Sequence, residues 1–145
     1  MSITTRPRVL PDDLAALKAA GIQTLVSLQE PQEAAAVGLE TQAQTCADIG
    51  IDFLNHPIRD MHLPDAAQFR SFAAALAARL QASDKIAIHC HASIGRSGML
   101  ACAVLGHFGY TSATALTHVS KKRGTHVPDT PQQTAFIHKI MEKQA

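Results

Sequence analysis

The sequence predicts a single α/β domain over residues 1–145, with a short, mostly parallel central β-sheet flanked by α-helices, and three observations carry that expectation. Short apolar runs, Ile22 to Leu28, Ile51 to Ile58 and Lys85 to His89, have the length and β-branched content of buried strands. Stretches with helical periodicity alternate with them. The chain, 46% hydrophobic and 17% charged, shows no linker, repeat or low-complexity tract, so one core is expected.

Taken in order, Asp12 or Asp13 is expected to N-cap a helix from Leu14 to Ala20, with Gly21 ending it before the first strand. Leu39 to Ile49 reads as a helix stopped at Gly50, and Ile51 to Ile58 as the next strand. Asp65 stands three residues before Gln68, the capping-box spacing, and Phe69, Phe72, Leu76 and Leu80 recur at helical intervals, which predicts a helix over Ala66 to Gln81. Lys85 to His89 then forms a strand, and Gly95 to Phe108 an apolar helix stopped at Gly109. A helix from Ser112 to Arg123 ends at Gly124, and Thr130-Pro131 opens a last one that runs to the C-terminus.

Charge and composition exclude several classes. The formal net charge is +1 with Lys and Arg scattered, so neither nucleic acid nor an anionic membrane is an expected partner. No apolar run approaches the roughly 18 residues of a membrane span. Cys46, Cys90 and Cys102 make neither a disulfide framework nor a CxxC metal pair, and the N-terminus has no apolar signal core. A cytoplasmic monomer is expected.

The chemistry concentrates in Ile88-His89-Cys90-His91-Ala92-Ser93-Ile94-Gly95-Arg96-Ser97-Gly98, where five residues separate a cysteine from an arginine followed by a hydroxyl. Cys46 and Cys102 have Asp52 and Phe108 at the corresponding offset. Here a strand feeds a short loop that opens a helix, so backbone N–H groups converge in front of a helix N-terminus and form an anion nest. His91, Ala92, Ser93, Ile94, Gly95 and Arg96 are the expected phosphate-binding residues. Arg96 adds a planar fork for phosphate oxygens. Cys90, beside a helix N-terminus and a cation, is expected as the attacking thiolate, and Ser97 as the group that stabilises it when it leaves.

Such a reaction needs an acid on another loop. Asp60 and Asp65 both follow the second strand; Asp65 has a capping role, whereas Asp60 lies free just past the strand end and is preferred. His89 is expected to orient the loop by hydrogen bonds and to help ionise the thiol. A zinc site at His89-Cys90-His91 is disfavoured, because neighbours on a strand face opposite ways. Gln133, three residues after Thr130, reads first as a capping-box partner.

These residues resemble the protein tyrosine phosphatase signature, His-Cys-x5-Arg-Ser after a strand, and most nearly the compact atypical dual-specificity, VH1-like phosphatases. The resemblance spans nearly the whole chain: Thr24 to Gln29 as the first core strand, Pro57-Ile58-Arg59-Asp60 as the acid loop, Arg123 to Phe136 as the last connection. It implies a three-layer protein-tyrosine-phosphatase-like fold, Cys90 as nucleophile, Arg96 as phosphate clamp, Asp60 as acid and then base, Ser97 as stabiliser of the leaving thiolate, and no metal or organic cofactor. It also brings Gln133 near the hydrolytic water. Two positions depart from the family pattern: Ser93 replaces the usual glycine, and Arg59 precedes the acid.

The function this implies is hydrolysis of phosphotyrosine, with phosphoserine and phosphothreonine as further substrates, in a phosphorylated protein or peptide, releasing phosphate ion. The alternatives are a phosphoinositide or RNA 5′-phosphate phosphatase, although the loop offers only His91 to meet extra negative charge, and a non-catalytic phospho-binding module, prompted by Ser93. A rhodanese-like sulfur transferase is disfavoured by Arg96-Ser97 and the separate acid loop.

Overall fold

A computed structural model describes residues 1–91 and 94–142. The elements are β1 (Ser2–Ile3), α1 (Leu10–Ala19), β2 (Thr24–Ser27), α2 (Pro31–Ala36), α3 (Gln42–Ile49), β3 (Asp52–Asn55), α4 (Ala66–Gln81), β4 (Ile86–His89), α5 (Gly95–Gly106), α6 (Ser112–Arg123) and α7 (Pro131–Glu142). The strands form one sheet in the order β1-β4-β2-β3, every pair parallel. No helix among the described residues is long and apolar enough to cross a membrane.

Alternation along the strands builds three layers. Val26, Ile86 and Ile88 face a large core shared with α4, α5, α6 and α7, while Leu25 and Ala87 face a smaller one with Leu14 of α1 and Cys46 of α3. Both faces are covered, which is why β2 and β4 are buried at every position. Helix α5 is the hub, packing against α4, α6 and α7, and all ten residues from Gly95 to Val104 are buried. Gly98 shows why: a Cβ there would lie 2.1 Å from Cγ1 of buried Val127, so only glycine lets the 127–128 segment approach.

The fold agrees with the α/β expectation and corrects several bounds. Helix α1 begins at Leu10, a turn before Leu14, because Pro11 suits a first turn and Asp13 caps from inside the helix, its Oδ2 accepting from the N–H of Arg8 (2.7 Å) and Val9 (3.1 Å). The strands are shorter than the apolar runs, and α3 starts at Gln42 rather than Leu39. Neither β1 nor α2 was expected; two and six residues are too few to show a period. The Asp65 cap is present, its Oδ1 accepting from Gln68 N–H at 2.9 Å.

Candidate active site

The parallel sheet directs the carboxyl ends of β2, β3 and β4 to one edge, and the expected residues lie there. Cys90 follows β4 directly, 2% exposed and packed into the larger core. His91 is exposed, and with Glu30, Gln32, Glu33, Arg59 and Asp60 it lines an open cleft of about 400 Å³. Ile94 is half-buried and Gly95 opens α5. Ala92 and Ser93 lie outside the described residues, and with them the expectation drawn from the missing glycine.

Arg96 is the centre of the site and is 1% exposed. Its two Nη atoms donate to both oxygens of Glu33, at 2.7 and 2.6 Å, a bidentate pair. Nη1 also donates to the carbonyls of Ile58 (2.9 Å) and Leu28 (3.4 Å), at the ends of the two neighbouring strand segments. Asp60 Oδ1 stands 3.2 Å from Nη2, and Nε is buried with no partner. One edge of the guanidinium is therefore held by Glu33, and the edge formed by Nε and Nη2 faces the acid. Burial opposes both charges of the Arg96–Glu33 pair, yet the pairing prevails: Glu33 is held below the ordinary carboxylate value and Arg96 above its own.

Asp60 comes from a tight turn in which His62 N–H donates to the Arg59 carbonyl at 3.0 Å and Met61 takes a left-handed φ of 65°. The turn leaves the Asp60 side chain 56% exposed, open to solvent on one side and to Arg96 on the other. Ser97, in the first turn of α5, is fully buried and its Oγ has no partner. Gln133 serves as its capping role predicts: its N–H donates to Thr130 Oγ1 (3.1 Å), and its Oε1 accepts from the N–H of Asp129 (3.0 Å) and Thr130 (3.2 Å). Its Nε2 is nevertheless buried without a partner, and a Cβ on Gly95 would lie 3.1 Å from it. Arg96 Nε, Ser97 Oγ and Gln133 Nε2 are thus each buried without a partner.

His89 departs in part from expectation. It is fully buried, with Nε2 2.9 Å from Gln42 Oε1 and Nδ1 3.3 Å from the Cys90 carbonyl. Burial, with the charges of Arg6 and Arg96, pulls its pKa down to about 4. The ring is neutral near pH 7, so it orients the backbone at Cys90 and supplies no positive charge to the thiol. A neutral ring has a single N–H; both contacts are satisfied when Nδ1–H donates to Cys90 and the Gln42 amide turns its nitrogen toward Nε2.

Two partners went unforeseen, Glu33 and Gln42. Glu33 follows β2 as Asp60 follows β3, so the rule that sheets gather function at their carboxyl ends was the signal available for it. Gln42, on α3, left no such trace.

The chain is similar to known proteins both in sequence and in fold. Residues 1–109 match the family model described as "Polymorphic toxin system, DSP-PTPase phosphatase". Protein tyrosine phosphatase domain-containing protein 1 of Mus musculus is 31% identical over 112 residues, 71% of this chain and 15% of that protein. Cyclin-dependent kinase inhibitor 3 of Homo sapiens is 26% identical over 140 residues, 95% of this chain and 66% of that one. The chain thus spans less than two thirds of these relatives. Among solved structures, kinase associated phosphatase with its catalytic site cysteine changed to serine superposes with a TM-score of 0.91 at 22% identity, covering 98% of this chain and 85% of that chain. PTPMT1 in complex with PI(5)P gives 0.81 at 16% identity, covering 99% and 92%. By its family match, its fold and its cysteine-arginine loop, this chain belongs to the cysteine-dependent dual-specificity and protein tyrosine phosphatases.

Proposed function

We propose that the protein hydrolyses phosphate monoesters of phosphorylated proteins, phosphotyrosine first and phosphoserine and phosphothreonine with it, through a phosphocysteine on Cys90. The observation that carries this reading is the half-occupied guanidinium of Arg96: Glu33 fixes one edge, and the edge left over faces a carboxylate on the open side beside a buried cysteine. A phosphate taking that edge replaces Asp60 as the partner of Nη2 and gains Nε.

In the first step Cys90 Sγ, as thiolate, bonds to phosphorus while the ester P–O bond breaks, and protonated Asp60 gives its proton to the departing oxygen. In the second, Asp60 takes a proton from water, the water oxygen bonds to phosphorus, and the S–P bond breaks to release inorganic phosphate. Ser97 Oγ–H stabilises the thiolate that returns, and Gln133 Nε2 holds the attacking water. Both donors are unpaired and buried, as these roles require.

Purified protein is expected to hydrolyse an aryl phosphate, and Cys90→Ser to be inactive while still binding orthovanadate; turnover retained by Cys90→Ser overturns the reading. The likeness of the fold to PTPMT1 in complex with PI(5)P, with Arg59 on the cleft, supports a second reading, hydrolysis of phosphoinositides. Rates on a phosphotyrosine peptide and on a phosphoinositide, measured side by side, separate the two.

A further inference from the structure

We infer that Arg6 is a positioning residue for the phosphate loop, holding the carbonyl of His91 from the N-terminal segment and bringing a second cation to the residue after the nucleophile. This rests on the phosphatase reading of Cys90 and adds a residue that neither the cysteine loop nor the acid loop contains.

The path of the chain carries it. β1 runs parallel to β4, with Ser2 opposite Ala87 and Ile3 opposite Ile88, and Thr4 N–H continues the ladder to the Ile88 carbonyl at 2.9 Å. The segment therefore leaves β1 toward the end of β4 where Cys90 stands. Pro7 is buried, and Arg8 and Val9 give their N–H groups to Asp13 at 2.7 and 3.1 Å. Arg6 lies between these two anchors, and its Nη1 donates to the His91 carbonyl at 3.1 Å. A two-residue edge strand contributes little to sheet stability, yet its direction delivers an arginine to the residue after the nucleophile.

Charge gives the contact its purpose. The occupied site would gather the Cys90 thiolate, a phosphate and the carboxylate of Glu33 around Arg96. His89 is neutral and cannot offset them, whereas the Arg6 guanidinium is held at the carbonyl of the residue that follows Cys90. The bond also engages the His91 carbonyl oxygen, whose negative dipole would otherwise be free to turn toward the phosphate.

The experiment measures orthovanadate affinity by calorimetry, aryl phosphate kcat/KM and melting temperature for wild type, Arg6→Met, Arg6→Gln and Arg6→Lys. Arg6→Met keeps the aliphatic stem and removes donor and charge; about tenfold losses are expected in both orthovanadate affinity and kcat/KM, with the melting temperature nearly unchanged. Arg6→Gln, the second neutral variant, is expected to lose severalfold, and Arg6→Lys to recover most of the affinity. A folded neutral variant that binds orthovanadate as wild type does overturns the inference. Failure of the phosphatase reading is a separate result, wild type that binds orthovanadate without turning over aryl phosphate, and the Arg6 comparison is then read on binding alone.

Discussion

The end of β4 and the ends of β2 and β3 meet at Arg96 but are built in opposite ways. After β4 come a buried cysteine and a helix whose first ten residues are all buried. After β2 and β3 come a six-residue helix and a tight turn, bearing Glu33 at 19% exposure and Asp60 at 56%. The contrast follows the division of labour in the proposed reaction. Nucleophile and cation must stay fixed within about half an ångström and are set in the core, where packing forbids drift. The acid exchanges protons with solvent and must yield its place on Arg96 to the phosphate, so it sits on a turn at the surface.

This comparison can be broken most sharply at Asp60. On a poor leaving group Asp60→Asn is expected to lower kcat about 10³-fold, and on a nitrophenolate leaving group much less, because a good leaving group needs little protonation. Equal losses on both would assign Asp60 to phosphate binding instead of proton transfer. On the buried side the test is pH. The His89 pKa of about 4 lies below the ordinary 6.5 because of burial, so between those values the unfolded chain binds a proton that the native chain does not. Stability is then complete above about pH 6.5 and falls as pH drops toward 4, by up to about 3 kcal/mol. His56, also pulled down by burial, acts in the same direction. Urea unfolding at a series of pH values measures this, and a flat profile from pH 7 to 4 contradicts the assignment of His89 as buried and neutral.

Gly98→Ala probes the packing that fixes the buried side. The added methyl meets Val127, whose N–H is held by Ser120 Oγ at 3.0 Å, and a loss of about 2 kcal/mol in unfolding free energy is expected. A neutral result would mean that the 127–128 segment can move. Glu33→Gln is the mildest change: it frees Arg96 to take Asp60 more fully, and kcat/KM is expected to fall about tenfold with the fold intact.

The two sides also differ in how far they could be read from sequence. The β4 side is local: a strand, a cysteine, an arginine and an apolar helix lie within one stretch of chain, so Cys90, Arg96, Ser97 and the helix after them are visible together. Asp60 was visible through the strand before it and because Asp65 already had a cap to make. Glu33 and Arg6 reach the same site from 63 and 85 residues away in sequence from their partners, Arg96 and His91, and only the sheet order brings them there. Helix α4 was legible to the residue because its cap and its period agree, whereas α1 was misplaced by a turn because Asp13 caps from within. The help expected from His89 in ionising the thiol turns on its charge, and burial, which decides that charge, is a property of the assembled core.

The central claim is that phosphate passes through Cys90. Rapid acid quench of the enzyme with a labelled aryl phosphate, followed by peptide mapping, is expected to find label on the peptide that contains Cys90 in wild type and none in Cys90→Ser. Turnover with no labelled cysteine, or label carried by any other residue, contradicts it.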